Sequence, residues 1–172
     1  MRKVKKFKLT SEFIVDISGV KLFRIKALIE FGNVKAGDLG GYIEKEENLS
    51  HMGDAWVSDD ARISGNAQVF GNARVFGNAW VSGNARVSGD AQVFGDARVS
   101  GDKDYAYAHG FGSCNRTTTF FRLKDGDVGV RCGCFYGTLA QFRDNVCETH
   151  GETKKAQEYL MLADLMDFRF KN

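Results

Sequence analysis

"GNARVFGNAWVSGNARVSGD", residues 71–90, repeats itself every six residues. Neither the 3.6-residue turn of a helix nor the two-residue alternation of an ordinary strand gives that interval. The frame runs from Gly53 to Ser100 as eight units: GDAWVS, DDARIS, GNAQVF, GNARVF, GNAWVS, GNARVS, GDAQVF and GDARVS. Each unit carries Ala, one variable residue, then Val or Ile. Ala and Val stand two apart, so both point to the same side of an extended segment and face inward. The residue between them faces out: Trp56, Arg62, Gln68, Arg74, Trp80, Arg86, Gln92 and Arg98. Gly with Asn or Asp supplies each bend, because these residues tolerate left-handed backbone angles. "ENLSHM" just upstream fits the frame loosely, with Leu49 in the Ala slot and His51 in the Val slot.

An Ala/Val face this thin closes no core alone, so each coil must stack on the next. Self-similarity at this period marks a parallel β-helix. The pattern "V-x-G-N-A-x" resembles the hexapeptide repeat of left-handed parallel β-helix proteins. The resemblance implies a triangular coil of three units and a homotrimer packed side by side. Reading 18 residues apart, Trp56, Arg74 and Gln92 share one outer face, and Arg62, Trp80 and Arg98 share another. Phe76 lies under Phe94 at a corner. Outward Trp and Arg are favoured at interfaces, which makes Trp56, Trp80 and Arg86 the candidate subunit seam.

The flanks lack the period. Residues 1–46 hold short strand-like runs, "KKFKLT", "SEFIVDISG" and "VKLFRIKALIEF", and read as a β-rich N-terminal cap. The β-helix is then 47–102. Residues 103–172 read as a small α/β module. "GDKDYAYAHGFGSCN" is a connector, followed by a hairpin with strands 116–123 and 128–134 about an Asp125-Gly126 turn. A helix follows, with Thr138 as N-cap, Gln141 completing a capping box, and Gly151 as its stop. A second helix is expected at about 154–168. The fold class is therefore mainly β, with a ββαα module at the C-terminus.

The 172 residues are 43% hydrophobic and carry a net charge of +2. That composition excludes a disordered chain, and the charge is too balanced to imply nucleic-acid binding. The basic N-terminus (Arg2, Lys3, Lys5, Lys6, Lys8) alternates with apolar residues and reads as a solvated strand face, not a signal peptide. Four cysteines with no export signal point to reduced thiols and a cytoplasmic protein, in the host cytoplasm if phage-encoded. "GSCNRTTTFFRLKDG", "RCGCFYGTLAQF" and "GDLGGYIEKEENLSHMGDAWVSDDARISGNA" resemble segments of bacteriophage and prophage proteins that carry such repeats.

Three chemistries are open. Many hexapeptide-repeat proteins are acyltransferases with an acyl-CoA donor and a His base, and the resemblance would give that role to His109. His51 falls in a core-like slot, His150 at a helix end, and no loop interrupts the repeat. Cys132 and Cys134 form C-x-C, but metal sites usually show two spaced pairs, so no metal and no cofactor are expected. The third is a site for a small anionic or nucleotide-like ligand. Its candidates are His109, Phe111, Ser113, Asn115, Arg116, Thr117, Thr118, Thr119 and Arg131. Arg116 and Arg131 could share one end of the hairpin and grip phosphate, beside a backbone nest at Gly110–Ser113. Phe111, Phe120 and Phe135 offer stacking surfaces. The expectation is a non-enzymatic, oligomeric ligand-binding protein, in a phage setting one that sequesters a nucleotide immune signal. An acyltransferase and a structural spacer are the alternatives.

Overall fold

A computed structural model describes residues 4–112 and 115–171. Three strands come first: β1 (Phe7–Val15), β2 (Lys21–Ala27) and β3 (Leu39–Ile43). Eight two-residue strands follow, each the outward residue and the Val or Ile of one unit. They are β4 (Trp56–Val57), β5 (Arg62–Ile63), β6 (Gln68–Val69), β7 (Arg74–Val75), β8 (Trp80–Val81), β9 (Arg86–Val87), β10 (Gln92–Val93) and β11 (Arg98–Val99). They stack in parallel on three faces, β5-β8-β11, β4-β7-β10 and β6-β9. The columns are those of the 18-residue reading: Trp56 beside Arg74 beside Gln92, and Arg62 beside Trp80 beside Arg98. The chain is thus a β-solenoid of about three coils, and every Ala and Val of the units is buried in one continuous core.

The solenoid begins earlier than the sequence frame indicates. Tyr42 pairs with Arg62 and Ile43 with Ile63, so β3 is already part of a solenoid face, and the antiparallel pair β1-β2 extends that face into a six-stranded sheet. Leu49 bridges to Val69 and therefore fills a Val slot, not an Ala slot. His51 then lies outside the core, its ring stacked 4.3 Å from that of Phe7. His51 and Met52 are two extra residues at this corner, which is why "ENLSHM" fits the frame poorly. Asp59 replaces the corner Gly of its unit. It adopts φ 56°, and its carboxylate accepts a bond from Gly77 N–H at 3.0 Å.

Backbone polarity explains both ends of the stack. Each coil donates its N–H groups to the next one, as in Trp56 N–H to Ala73 O at 3.0 Å and Arg74 N–H to Ala91 O at 2.9 Å. The first coil therefore presents carbonyls and the last presents N–H groups, and buried backbone groups need partners. Lys6 Nζ donates to Gly53 O (3.2 Å) and Ala55 O (2.7 Å), and Asn48 Nδ2 to Gly65 O (3.1 Å) and Ala67 O (2.9 Å). At the other end the caps are acceptors. Thr119 Oγ1 takes Gln92 N–H at 2.9 Å, Asp102 takes Arg86 N–H at 2.8 Å, and Asp104 takes Ser100 N–H at 2.9 Å. Donors close the carbonyl end and acceptors close the N–H end. Burial lowers the pKa of Lys6 to about 8, against the opposing pull of Asp54.

The C-terminal module is larger than a hairpin. β12 (Tyr105–Phe111), β13 (Arg116–Arg122), β14 (Val128–Cys132) and β15 (Phe135–Thr138) form a four-stranded antiparallel sheet in sequence order. The supposed connector is thus a strand, and the module is ββββαα. The helices are α1 (Leu139–His150) and α2 (Lys154–Phe170). Thr138 caps α1 in a reciprocal box with Gln141, and Gly151 ends it at φ 57°. One face of the sheet meets the helices through Phe120 and Val130, and the other meets the solenoid through Phe121. Among the described residues no helix is long and apolar enough to cross a membrane.

Candidate functional site

The strand alternation that builds the module divides the expected ligand residues between two sides of its sheet. Thr119 lies across from Arg131 and Tyr107, and its hydroxyl bonds the last solenoid coil, which fixes the solenoid-facing side. Thr117 shares that side, and its Oγ1 lies 2.9 Å from His109 Nδ1 on the exposed edge strand β12. Thr118 points to the helices, where it is fully buried and donates to Cys132 Sγ at 3.2 Å. Arg116 is three residues from Thr119 and falls on the helix side. Its guanidinium lies against Gly133 and lines a cleft with Phe135, Phe142 and His150.

Arg116 and Arg131 therefore do not grip one anion together, because an odd spacing from Thr119 sends Arg116 through to the other face. Thr118 and Thr119 are committed to structural bonds, so two of the three threonines expected at the ligand serve as a core contact and a cap. Phe120 is fully buried, and Phe111 packs against the helix-side core. Asn115 sits in the turn before β13 at φ 47°. Ser113, and with it the far end of the Gly110–Ser113 nest, lies outside the described residues. Cys132 ends β14, whereas Gly133 (φ 60°) turns the chain and leaves Cys134 exposed in the turn, so the two thiols do not share a strand face.

Arg131 meets a different set of residues. It stands over the corner stack of Phe76 and Phe94, 5.9 and 5.5 Å from the two ring centroids, and its Nε donates to Gln92 Oε1 at 3.4 Å. The rings of Phe76 and Phe94 are 4.6 Å apart, and Tyr136 closes the stack edge-on at 4.7 Å. Beyond them the β4-β7-β10 face forms the floor of a groove of about 360 Å³. Trp56, Arg74 and Gln92 supply the floor, Phe76 and Ser58 one edge, Asn33 of the N-terminal segment the near wall and Arg131 the far wall. Among the described residues no carboxylate is part of its lining, although Asp54 stands near the Arg74 guanidinium beside Gly32. Two guanidinium groups thus face one concavity beside an amide, a hydroxyl and aromatic rings, a combination suited to a small anion with a planar part.

Trp56 is part of this groove and not of a subunit seam. Phe31 packs edge-on against it at 5.3 Å and leaves it 5% exposed, so it presents almost nothing to a neighbouring molecule. Trp80 lies on another face, held between Arg62 (4.8 Å) and Arg98 (4.6 Å). Arg86 is on the third face, stacked over Phe70 at 5.3 Å. The 18-residue spacing places Trp56, Arg74 and Gln92 in one outward column. The spacing carries no sign that both flanking segments fold over that column and convert it into a groove.

The family model described as the YdcK beta solenoid repeat matches residues 67–83, 79–93 and 91–102. All three segments lie within the stacked coils, so the likeness covers the solenoid and not its flanks. No curated protein matches the chain. Fold and groove together define a β-solenoid with a docked α/β module and a concave cationic groove between its parts.

Proposed function

We propose that this protein binds a small anionic, nucleotide-like ligand without transforming it, in the groove between the β4-β7-β10 face and the C-terminal module. The observation that carries this reading is the convergence of Arg74 and Arg131 on one concavity without a lining carboxylate. Guanidinium groups bind phosphate through two parallel hydrogen bonds. The half-buried ring of Phe76 offers apolar surface to a base or a ribose, with Trp56 as a covered floor beneath. The volume is at the lower end of the range for small-molecule sites, about 300–1,000 Å³. The phage-like segments give the reading a concrete form, in which the protein sequesters a cyclic nucleotide or an ADP-ribose derivative that serves as an immune signal.

Binding without turnover fits the groove because its polar lining consists of guanidinium, amide and hydroxyl groups. Among the described residues its lining holds no His, Asp, Glu, Lys, Tyr or Cys, the side chains that serve as general bases. His109, the residue on which an acyltransferase reading depends, lies on the exposed edge of the sheet with Thr117 and is not among the groove-lining residues. Isothermal titration calorimetry against AMP, ADP-ribose, cyclic di-AMP and inorganic phosphate tests the proposal. At least one nucleotide should bind, be recovered unchanged, and lose binding in Arg131→Gln and Arg74→Gln but not in Arg116→Gln. Binding that survives both groove substitutions, or turnover of the ligand, would overturn it.

A further inference from the structure

Helix α2 has two apolar faces, and only one is covered. Ala156, Tyr159, Ala163, Met166 and Phe170 are buried against the module. Met161, Leu165 and Phe168 lie on the outward side at 70%, 56% and 80% exposure. Their spacing, four residues and then three, is that of a helix-pairing seam. A helix that serves only as a cover over a sheet needs one apolar stripe, with polar residues on the rest of its surface. Three large apolar side chains in a row on the wet side of one helix therefore mark a contact surface.

The charges beside the stripe select the occupant. Asp164 and Lys171 flank it on the same edge, seven residues apart. When two copies of α2 lie antiparallel with their centres near Met166, Leu165 of each meets the partner's Phe168. The same register sets Asp164 of each against the partner's Lys171, so one contact generates two apolar pairs and two opposite-charge pairs. Such self-complementarity is what a two-fold interface requires, since each residue both gives and receives the same contact. Within one chain Asp164 already pairs with Arg143 at 2.9 Å and Lys171 with Asp167 at 2.6 Å. Both charged ends are therefore held beside the stripe.

We infer that the outward stripe of α2 pairs with the same stripe of a second copy of this chain, antiparallel, to form a dimer. The surface is separate from the groove, since α2 packs on the sheet face opposite the solenoid. Sedimentation equilibrium on the full chain tests it. The wild type should be dimeric, with a melting temperature that rises with protein concentration. Leu165→Glu/Phe168→Glu should be monomeric with an unchanged circular dichroism spectrum and a melting temperature independent of concentration, because both side chains are solvent-exposed in the single chain. Asp164→Lys alone should weaken the dimer at least tenfold, and Asp164→Lys/Lys171→Asp should recover most of that loss. A monomeric wild type, a trimer that survives Leu165→Glu/Phe168→Glu, or a monomer that binds lipid vesicles through the stripe would each overturn the inference.

Discussion

The ammonium of Lys6 lies 2.7 Å from the carbonyl oxygen of Ala55 and donates to it. Lys6 is 1% exposed, and this contact seals the end of the solenoid where carbonyls would otherwise face apolar surface. Its pKa is lowered to about 8 in the folded chain, against an ordinary lysine value of 10.5. Between those two values the unfolded chain holds more protons than the folded one, so this residue makes stability rise with pH there. Comparing the unfolding free energy of the wild type with that of Lys6→Met isolates the effect. The gap should widen by about 3 kcal/mol between pH 7 and pH 11. A gap that is flat with pH would show that the amine keeps its solvated pKa.

Thr119→Val keeps shape and removes the acceptor for Gln92 N–H at the opposite end of the stack. An unpaired buried donor costs about 1–3 kcal/mol. Urea denaturation should show a loss of that size, and Thr119→Ser should recover part of it. Ligand affinity in Thr119→Val should match that of the wild type, because the hydroxyl is occupied by the backbone. A variant with full stability and lost binding would return Thr119 to the list of ligand residues.

These two residues also mark how far the sequence could be read. The repeat was legible because each of its units makes the same contact, so period, inward pairs and columns all follow from local pattern. Thr138 and Gly151 were legible for the same reason, since capping chemistry is local. Lys6 and Thr119 were not, because each closes an end of the stack from more than 25 residues away in the chain. The groove was hidden in the same manner. Trp56, Arg74 and Gln92 form a column that the period dictates, but only the docking of Asn33 and Arg131 makes it concave. Splitting Arg116 from Arg131 required the sheet register, which Thr119 sets through its bond to the solenoid.

The solenoid corners are expected to tolerate Gly poorly replaced. Gly71 holds φ 69°, and a Cβ there would lie 3.1 Å from Gly89 N. Gly71→Ala should therefore destabilise by about 1–2 kcal/mol through left-handed strain and crowding. Asp59→Gly should be nearly neutral, because relief of its φ of 56° offsets the lost bond to Gly77. Thermal melts of the two variants check the contrast, and equal losses would contradict it.

The groove itself is best tested by the emission of Trp56, since Trp56 and Trp80 are the two tryptophans of the chain and stand on different faces. In Trp80→Phe all tryptophan fluorescence comes from the groove floor. Titration of that variant with ADP-ribose and with cyclic di-AMP should give, for at least one of them, a saturable change in emission that disappears in Trp80→Phe/Arg131→Gln. No change with either nucleotide at millimolar concentration, or a change that persists without Arg131, would contradict a ligand site between the solenoid face and the C-terminal module.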